Sequence, residues 1–211
     1  MSRPVVTLSL SGAKGAIHLP AIETVFLDTA VDLGGFDAVI FTSKQAVKAL
    51  DRRAGDWKRL KLFSIGAATS ETIASFGGEV CFESPSQNAN QFAAAIASLY
   101  GDLAFFYPRA RVVFGDLEGE LKRRGVACRS EILYETAPKP IDAKSIPPNA
   151  AIVFSAPSVV KSFFSQIKWQ SGWRAIALGE SAAKALESYA PCLISPQADI
   201  EAAVAFAALA P

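Results

Sequence analysis

The sequence predicts an α/β fold with parallel sheets, built twice, with one copy inserted into the other. Three observations carry this reading. Short apolar runs without alternation, such as Ala38-Val39-Ile40-Phe41, end abruptly in Thr42-Ser43, the pattern of strands buried on both faces. Such strands alternate with helix-compatible stretches of about ten residues, as in a sheet covered by helices. The pattern also repeats: Ala151-Ile152-Val153-Phe154-Ser155 restates the first run, with Phe154 lying 113 positions after Phe41.

In chain order, residues 5–10 read as a first strand, 11–15 as a glycine-containing loop and 23–29 as a second extended piece. Regular alternation begins at Leu33. Strands are expected at 38–41, 62–65, 79–82, 103–107 and 129–136, and helices at 44–53, 68–76, 88–99 and 115–124. Gly125 stands where a glycine closes a helix. After the proline-rich stretch 138–148 a second series starts, with strands at 151–155, 174–178 and 192–195 and helices at 158–167, 181–188 and 199–208. Phe63-Ser64-Ile65-Gly66 matches Ile176-Ala177-Leu178-Gly179 and Phe76 matches Tyr189, again 113 positions apart. At Ser84-Pro85 and Ser195-Pro196 the spacing slips to 111.

The second series runs out of strands early unless the N-terminal strands complete its sheet. The expected organisation is therefore a discontinuous terminal domain, 1–28 with 137–211, around an inserted domain, 32–133, with linker strands near 26–31 and 133–138.

Composition narrows the function. Apolar residues make up 51% and charged residues 19% of the 211, enough for real cores and too little charge for disorder. A formal net charge of +1 gives no field pointing to nucleic acid or to a membrane surface. No apolar run reaches the roughly 18 residues of a membrane span. Cys81, Cys128 and Cys192 lie far apart, which favours reduced, cytosolic thiols over a disulfide framework or a zinc site. Phosphate-loop, dinucleotide and nucleophile-elbow signatures are missing, and the single histidine, His18, sits near a loop.

What remains is a set of hydroxyls at strand ends: Thr42, Ser43, Thr69, Ser70, Ser155, Ser158 and Ser181. Their plain reading is helix capping. Capped helix N-termini are also anion sites, so several of them facing one cleft suit a ligand with many carboxylates. Lys44, Lys48, Arg109, Arg111 and Lys161 offer further positive charge.

Phe41-Thr42-Ser43-Lys44-Gln45-Ala46-Val47, Ser64-Ile65-Gly66-Ala67-Ala68-Thr69 and Glu131-Ile132-Leu133-Tyr134-Glu135-Thr136 together resemble uroporphyrinogen-III synthase. Phe154-Ser155-Ala156-Pro157-Ser158 and Leu178-Gly179-Glu180-Ser181-Ala182 resemble that family's second set. The resemblance implies two flavodoxin-like three-layer domains joined by a two-stranded linker. It also implies cyclisation of hydroxymethylbilane, with inversion of the terminal pyrrole and loss of water, without cofactor or metal. Tyr134 matches the family's linker tyrosine, proposed there as proton donor. The expected substrate-binding residues are Thr42, Ser43, Lys44, Gly66, Thr69, Ser155, Ser158, Gly179 and Ser181. A cytoplasmic monomer is expected, with no nucleic acid or membrane partner. The chain departs from the family in its short, glycine-rich segment 9–19 and in Ala156 and Ala182, which replace usual hydroxyl residues. The alternative reading is a two-domain binding protein for a small polyanion.

Overall fold

The computed structural model describes residues 3–86, 88–113 and 115–209. Residues 1, 2, 210 and 211 of the expected terminal domain lie outside them. The strands are β1 (Val5–Thr7), β2 (Ile17–His18), β3 (Ile22–Phe26), β4 (Ala38–Phe41), β5 (Lys61–Ser64), β6 (Val80–Glu83), β7 (Phe105–Ala110), β8 (Cys128–Pro138), β9 (Ala151–Phe154), β10 (Arg174–Ala177) and β11 (Cys192–Ile194). The helices are α1 (Lys44–Asp51), α2 (Ala67–Ser75), α3 (Ala89–Tyr100), α4 (Leu117–Arg123), α5 (Pro157–Phe164), α6 (Glu180–Leu186) and α7 (Ile200–Leu209). The 3-10 turns at Gly55–Arg59 and Ala143–Ser145 had no periodic signal in the sequence.

The chain divides into two compact units, Met1–Glu23 with Thr136–Pro211, and Thr24–Glu135. The divisions fall inside β3 and inside β8. One sheet has the order β11-β10-β9-β1-β2 and the other β3-β8-β7-β4-β5-β6. In the terminal unit, Ile152 and Phe154 face α5 and α6, while Ala151 and Val153 pack with Ala203, Val204 and Ala207 of α7. In the inserted unit, Val39 and Phe41 pack with α1 and α2, while Ala38 and Ile40 pack with α3 and α4. Both faces of each central strand are buried, and period-two alternation sends its residues into two cores.

The repeat has a geometric counterpart. β4 pairs β5 in parallel at Ala38↔Lys61 through Phe41↔Ser64. β9 pairs β10 at Ala151↔Arg174 through Phe154↔Ala177, the same register 113 residues on. Ile65 N–H donates to Phe41 O at 3.0 Å, and Leu178 N–H to Phe154 O at 2.9 Å. The slip to 111 divides into two single residues. The chain from Leu62 to its partner Val80 is one residue longer than the chain from Ala175 to its partner Cys192, and β6 carries an irregularity between Leu62↔Val80 and Phe63↔Phe82 that passes over Cys81.

The N-terminal strands depart from the usual parallel crossover. β1 and β2 are parallel, Val6↔Ile17 and Thr7↔His18, yet residues 8–16 between them hold no helix. Gly15 at φ 79° turns the chain, a left-handed conformation open to glycine, and His18 Nε2 lies 2.9 Å from Ser9 O. The lone histidine thus braces this loop.

Trp57 anchors one core of the inserted unit. Its ring is fully buried and meets Phe41 edge-on at 5.3 Å, and its Nε1–H donates to Asp51 Oδ1 at 3.0 Å. Trp57→Ala leaves a cavity behind β4 and takes one partner from Asp51 Oδ1, which keeps Lys58 Nζ at 3.2 Å. We expect a loss of about 3–5 kcal/mol, read as a lower urea midpoint by far-ultraviolet circular dichroism; an unchanged midpoint would show that the core closes over the gap.

Candidate functional site

The site is built at the carboxyl edge of the inserted unit's sheet, where open α/β sheets hold ligands. Its centre is the doublet Thr42-Ser43 between β4 and α1. Ser43 is the N-cap of α1: its Oγ accepts from Ala46 N–H at 3.1 Å. The same Oγ lies 2.6 Å from the Tyr134 hydroxyl on β8. Thr42 Oγ1 lies 3.1 Å from the hydroxyl of Tyr107 on β7. These four residues line a cavity of about 270 Å³ together with apolar groups including Val112, Val113 and Leu117.

A proline follows Tyr107 of this cavity, just past a break in strand pairing. Pro108 lies within β7, a central strand, where a missing N–H normally breaks a ladder. Phe105 donates to Ala127 O on the β8 side, so the nitrogen of Pro108, three residues on, faces β4. There pairing has already stopped, at Val39↔Phe106. β7 therefore stays with β8 as far as Tyr134 and parts from the end of β4. The sequence reading ended this strand at residue 107; the pairing with β8 carries it to Ala110.

A second hollow of about 220 Å³ adjoins the doublet and gathers Thr42, Ser43, Lys44, Gly66 and Thr69. Gly66 is the N-cap of α2 and has no side-chain cap. Thr69 therefore sits inside the first turn, 6% exposed, rather than at the cap. The turn is held from below by Ser64, whose buried Oγ donates to Gly66 O at 2.9 Å and accepts from Gly66 N–H at 3.1 Å. Lys44 is exposed at the rim.

The other expected residues belong to the terminal unit. Ser155 follows β9, and Ser158 lies in the first turn of α5 after an N-cap, Ala156, that makes no side-chain bond. Ser158 and Lys161 border a hollow of about 350 Å³ with Ser162 and Ser165. Gly179 is the N-cap of α6, again without a side-chain bond, and Ser181 is exposed in its first turn. Of the expected cations, Arg109 is turned away to Ser130 Oγ and Ala110 O, both at 3.0 Å, and Arg111 pairs with Glu135. Among the described residues there is no cluster of three metal-ligating side chains and no helix long and apolar enough to cross a membrane.

The sequence profile described as uroporphyrinogen-III synthase HemD matches residues 6–205. The chain belongs to the uroporphyrinogen-III synthase family. The uroporphyrinogen-III synthetase of Helicobacter pylori 26695 shares the fold, with a TM-score of 0.82 and 22% identity over 97% of this chain and 98% of that one. A mutant uroporphyrinogen III synthase of the extremely thermophilic bacterium Thermus thermophilus aligns with a TM-score of 0.52 and 14% identity, over 97% and 96%. No curated protein matches the chain in sequence. The uroporphyrinogen-III synthase match favours an enzyme over the binding-protein alternative.

Burial raises the Tyr107 hydroxyl above its ordinary pKa of 10, its bond to Thr42 working against the rise. Burial likewise raises Tyr134, and its bond to Ser43 pulls the other way. Tyr107 carries no periodicity that sets it apart from the core aromatics of its strand, and sequence reading missed it. Its position opposite Thr42 is a tertiary fact.

Two outcomes follow from this geometry. A group whose folded pKa lies above its unfolded value favours the fold below the unfolded pKa and loses that contribution as pH rises through the folded one. The two phenols therefore contribute fully below about pH 10, and melting temperature should fall above it, less steeply in the Tyr107→Phe/Tyr134→Phe double variant; identical alkaline slopes would count against the shifts. Ser43→Ala should cost about 1 kcal/mol through the lost cap and Ser43→Gly only a few tenths, while both raise the Tyr134 pKa further in an ultraviolet titration. An unmoved titration would mean that the Ser43 bond does not tune the phenol.

Proposed function

We propose that the chain is a working uroporphyrinogen-III synthase that cyclises hydroxymethylbilane with inversion of the terminal ring, and that Tyr134 is its proton donor. The observation that supports this most directly is the Tyr134 hydroxyl, 2.6 Å from Ser43 Oγ at the wall of a cavity beside a helix N-terminus. The hydroxyl of the substrate's carbinol departs as the adjacent pyrrole nitrogen pushes electrons toward the carbon. The Tyr134 O–H supplies the proton that makes the leaving group water, and the phenolate left behind accepts from Ser43 O–H. The cation is stabilised by the pyrroles, so the protein's larger task is to hold a flexible chain with the inverted attack within reach. A neutral phenol suits that setting, because a carboxylate donor would repel an octacarboxylate.

In this reading, Thr42, Ser43, Lys44, Gly66 and Thr69 bind substrate carboxylates through hydroxyls, one ammonium and the free N–H groups of α2. Ser155, Ser158, Gly179 and Ser181 do the same on the terminal unit's own sheet edge. The exposed Ser158 N–H and hydroxyl compensate for the missing hydroxyl at Ala156, since helix N-termini favour anions with or without a capping side chain. β3 and β8, within which the chain passes between the units, serve as the linker. The protein works as a cytoplasmic monomer without cofactor, metal, nucleic acid or membrane partner.

The test uses freshly prepared hydroxymethylbilane. The unaltered protein should yield the III isomer, and release of only the spontaneous I isomer would overturn the assignment. Tyr134→Phe should keep fold and binding and lower turnover by roughly 10-fold or more, within the range of general acid catalysis. A Phe variant with unaltered kcat would return Tyr134 to a packing role.

A further inference from the structure

Tyr107 is not required by packing. Its ring joins Phe92, Phe105, Ile96 and Leu121 in one core of the inserted unit, where phenylalanine would serve equally. The residue is 4% exposed, so its added hydroxyl carries a desolvation cost unless it is bonded. Its partner Thr42 lies 3.1 Å away, and each hydroxyl retains a further donor or acceptor site. Both residues line the cavity that Tyr134 and Ser43 also line.

The arrangement is two-sided. Tyr134 belongs to the core on the α1 face of the sheet, and Tyr107 to the core on the α3 and α4 face. Successive residues of an extended chain point to opposite faces, so the adjacent Thr42 and Ser43 each back one phenol. The result is two phenol–hydroxyl pairs, one from either side of the sheet edge, opening on one cavity.

We propose that Tyr107, backed by Thr42, is a second catalytic phenol that shares the proton transfer with Tyr134. The proposal rests on the cyclase reading above. As the C–O bond of the carbinol breaks, its electron pair stays with oxygen and the pyrrole nitrogen lone pair forms the new double bond to carbon. One phenol gives its proton to that oxygen, making water, while the other donates a hydrogen bond to it. The phenolate is held by the O–H of its Thr42 or Ser43 partner. It recovers a proton when the last pyrrole's α-carbon, having closed the ring, releases its own. One proton leaves and one returns, and no further reactant is needed.

The test is a cycle of Tyr107→Phe, Tyr134→Phe and the double variant in the full chain, each with kcat, KM and isomer ratio, and with melting temperature as a control. With two interchangeable donors, Tyr107→Phe should lower kcat about 3-fold at unchanged KM. The double variant should fall further than the product of the two single effects, toward loss of the whole roughly 10²–10⁴ contribution of an acid catalyst. Thr42→Val should reproduce the kcat loss of Tyr107→Phe and add no further kcat loss to it, while its own contact with substrate shows separately as a raised KM. An unchanged kcat on adding Tyr107→Phe to either background overturns the proposal. So does a loss confined to KM or to melting temperature, the mark of a structural hydroxyl. If the unaltered protein makes no III isomer, the cyclase reading itself fails and takes this inference with it. If the unaltered protein is active and only Tyr107→Phe is silent, this inference alone fails.

Discussion

Parallel pairing of short strands buried on both faces is the constraint on which the structure depends. A strand such as Ala38–Phe41 satisfies its backbone through neighbours on either side and leaves no face for polar side chains. Polar chemistry is therefore pushed to the strand ends, and at the carboxyl end it meets the N-terminus of the next helix, with its unsatisfied N–H groups. Ser43 resolves both demands: it caps α1 and reaches the Tyr134 hydroxyl with the same oxygen. Sliding β4 by one residue would exchange its side chains between the two cores and separate that oxygen from the Tyr134 hydroxyl.

The two units share this plan and differ in what flanks it. The registers of β4 with β5 and of β9 with β10 coincide residue for residue. On the other side, β4 meets β7 at Ala38↔Phe105, and β9 meets β1 at Val5↔Ala151. Thr7 of β1 thus stands where Tyr107 stands in β7, buried but far too short to carry a phenol to a cavity. β2, two residues long, takes the place of the eleven-residue β8. Both phenols consequently come from the inserted unit. The terminal unit presents backbone N–H groups and exposed serines, suited to binding anions and not to moving protons.

Pro108 shows how a local penalty is avoided. Inside a central strand a missing N–H normally costs a ladder bond, but the Pro108 nitrogen faces the side where β7 has already left β4. The hydroxyls of Thr42 and Tyr107 meet just past this break in pairing.

The sequence by itself determined the strand and helix series, the repeat at 113 residues, the hydroxyl strand ends and the motifs in family order, because each rests on local periodicity and spacing along the chain. It placed Thr42, Ser43, Lys44, Gly66 and Thr69 at strand ends, and these five share one hollow. Capping, the plain reading of Thr69, does not hold, since an extended glycine caps α2 one turn earlier without a side chain to announce it. Only the tertiary structure decided that β7 runs through Pro108, that Tyr107 faces Thr42, and that the two phenols approach from opposite faces of one sheet. Those facts depend on which strand lies beside which and on where pairing stops. Residues 42, 107 and 134 are separated by tens of positions, and nothing local in the chain links one hydroxyl to another.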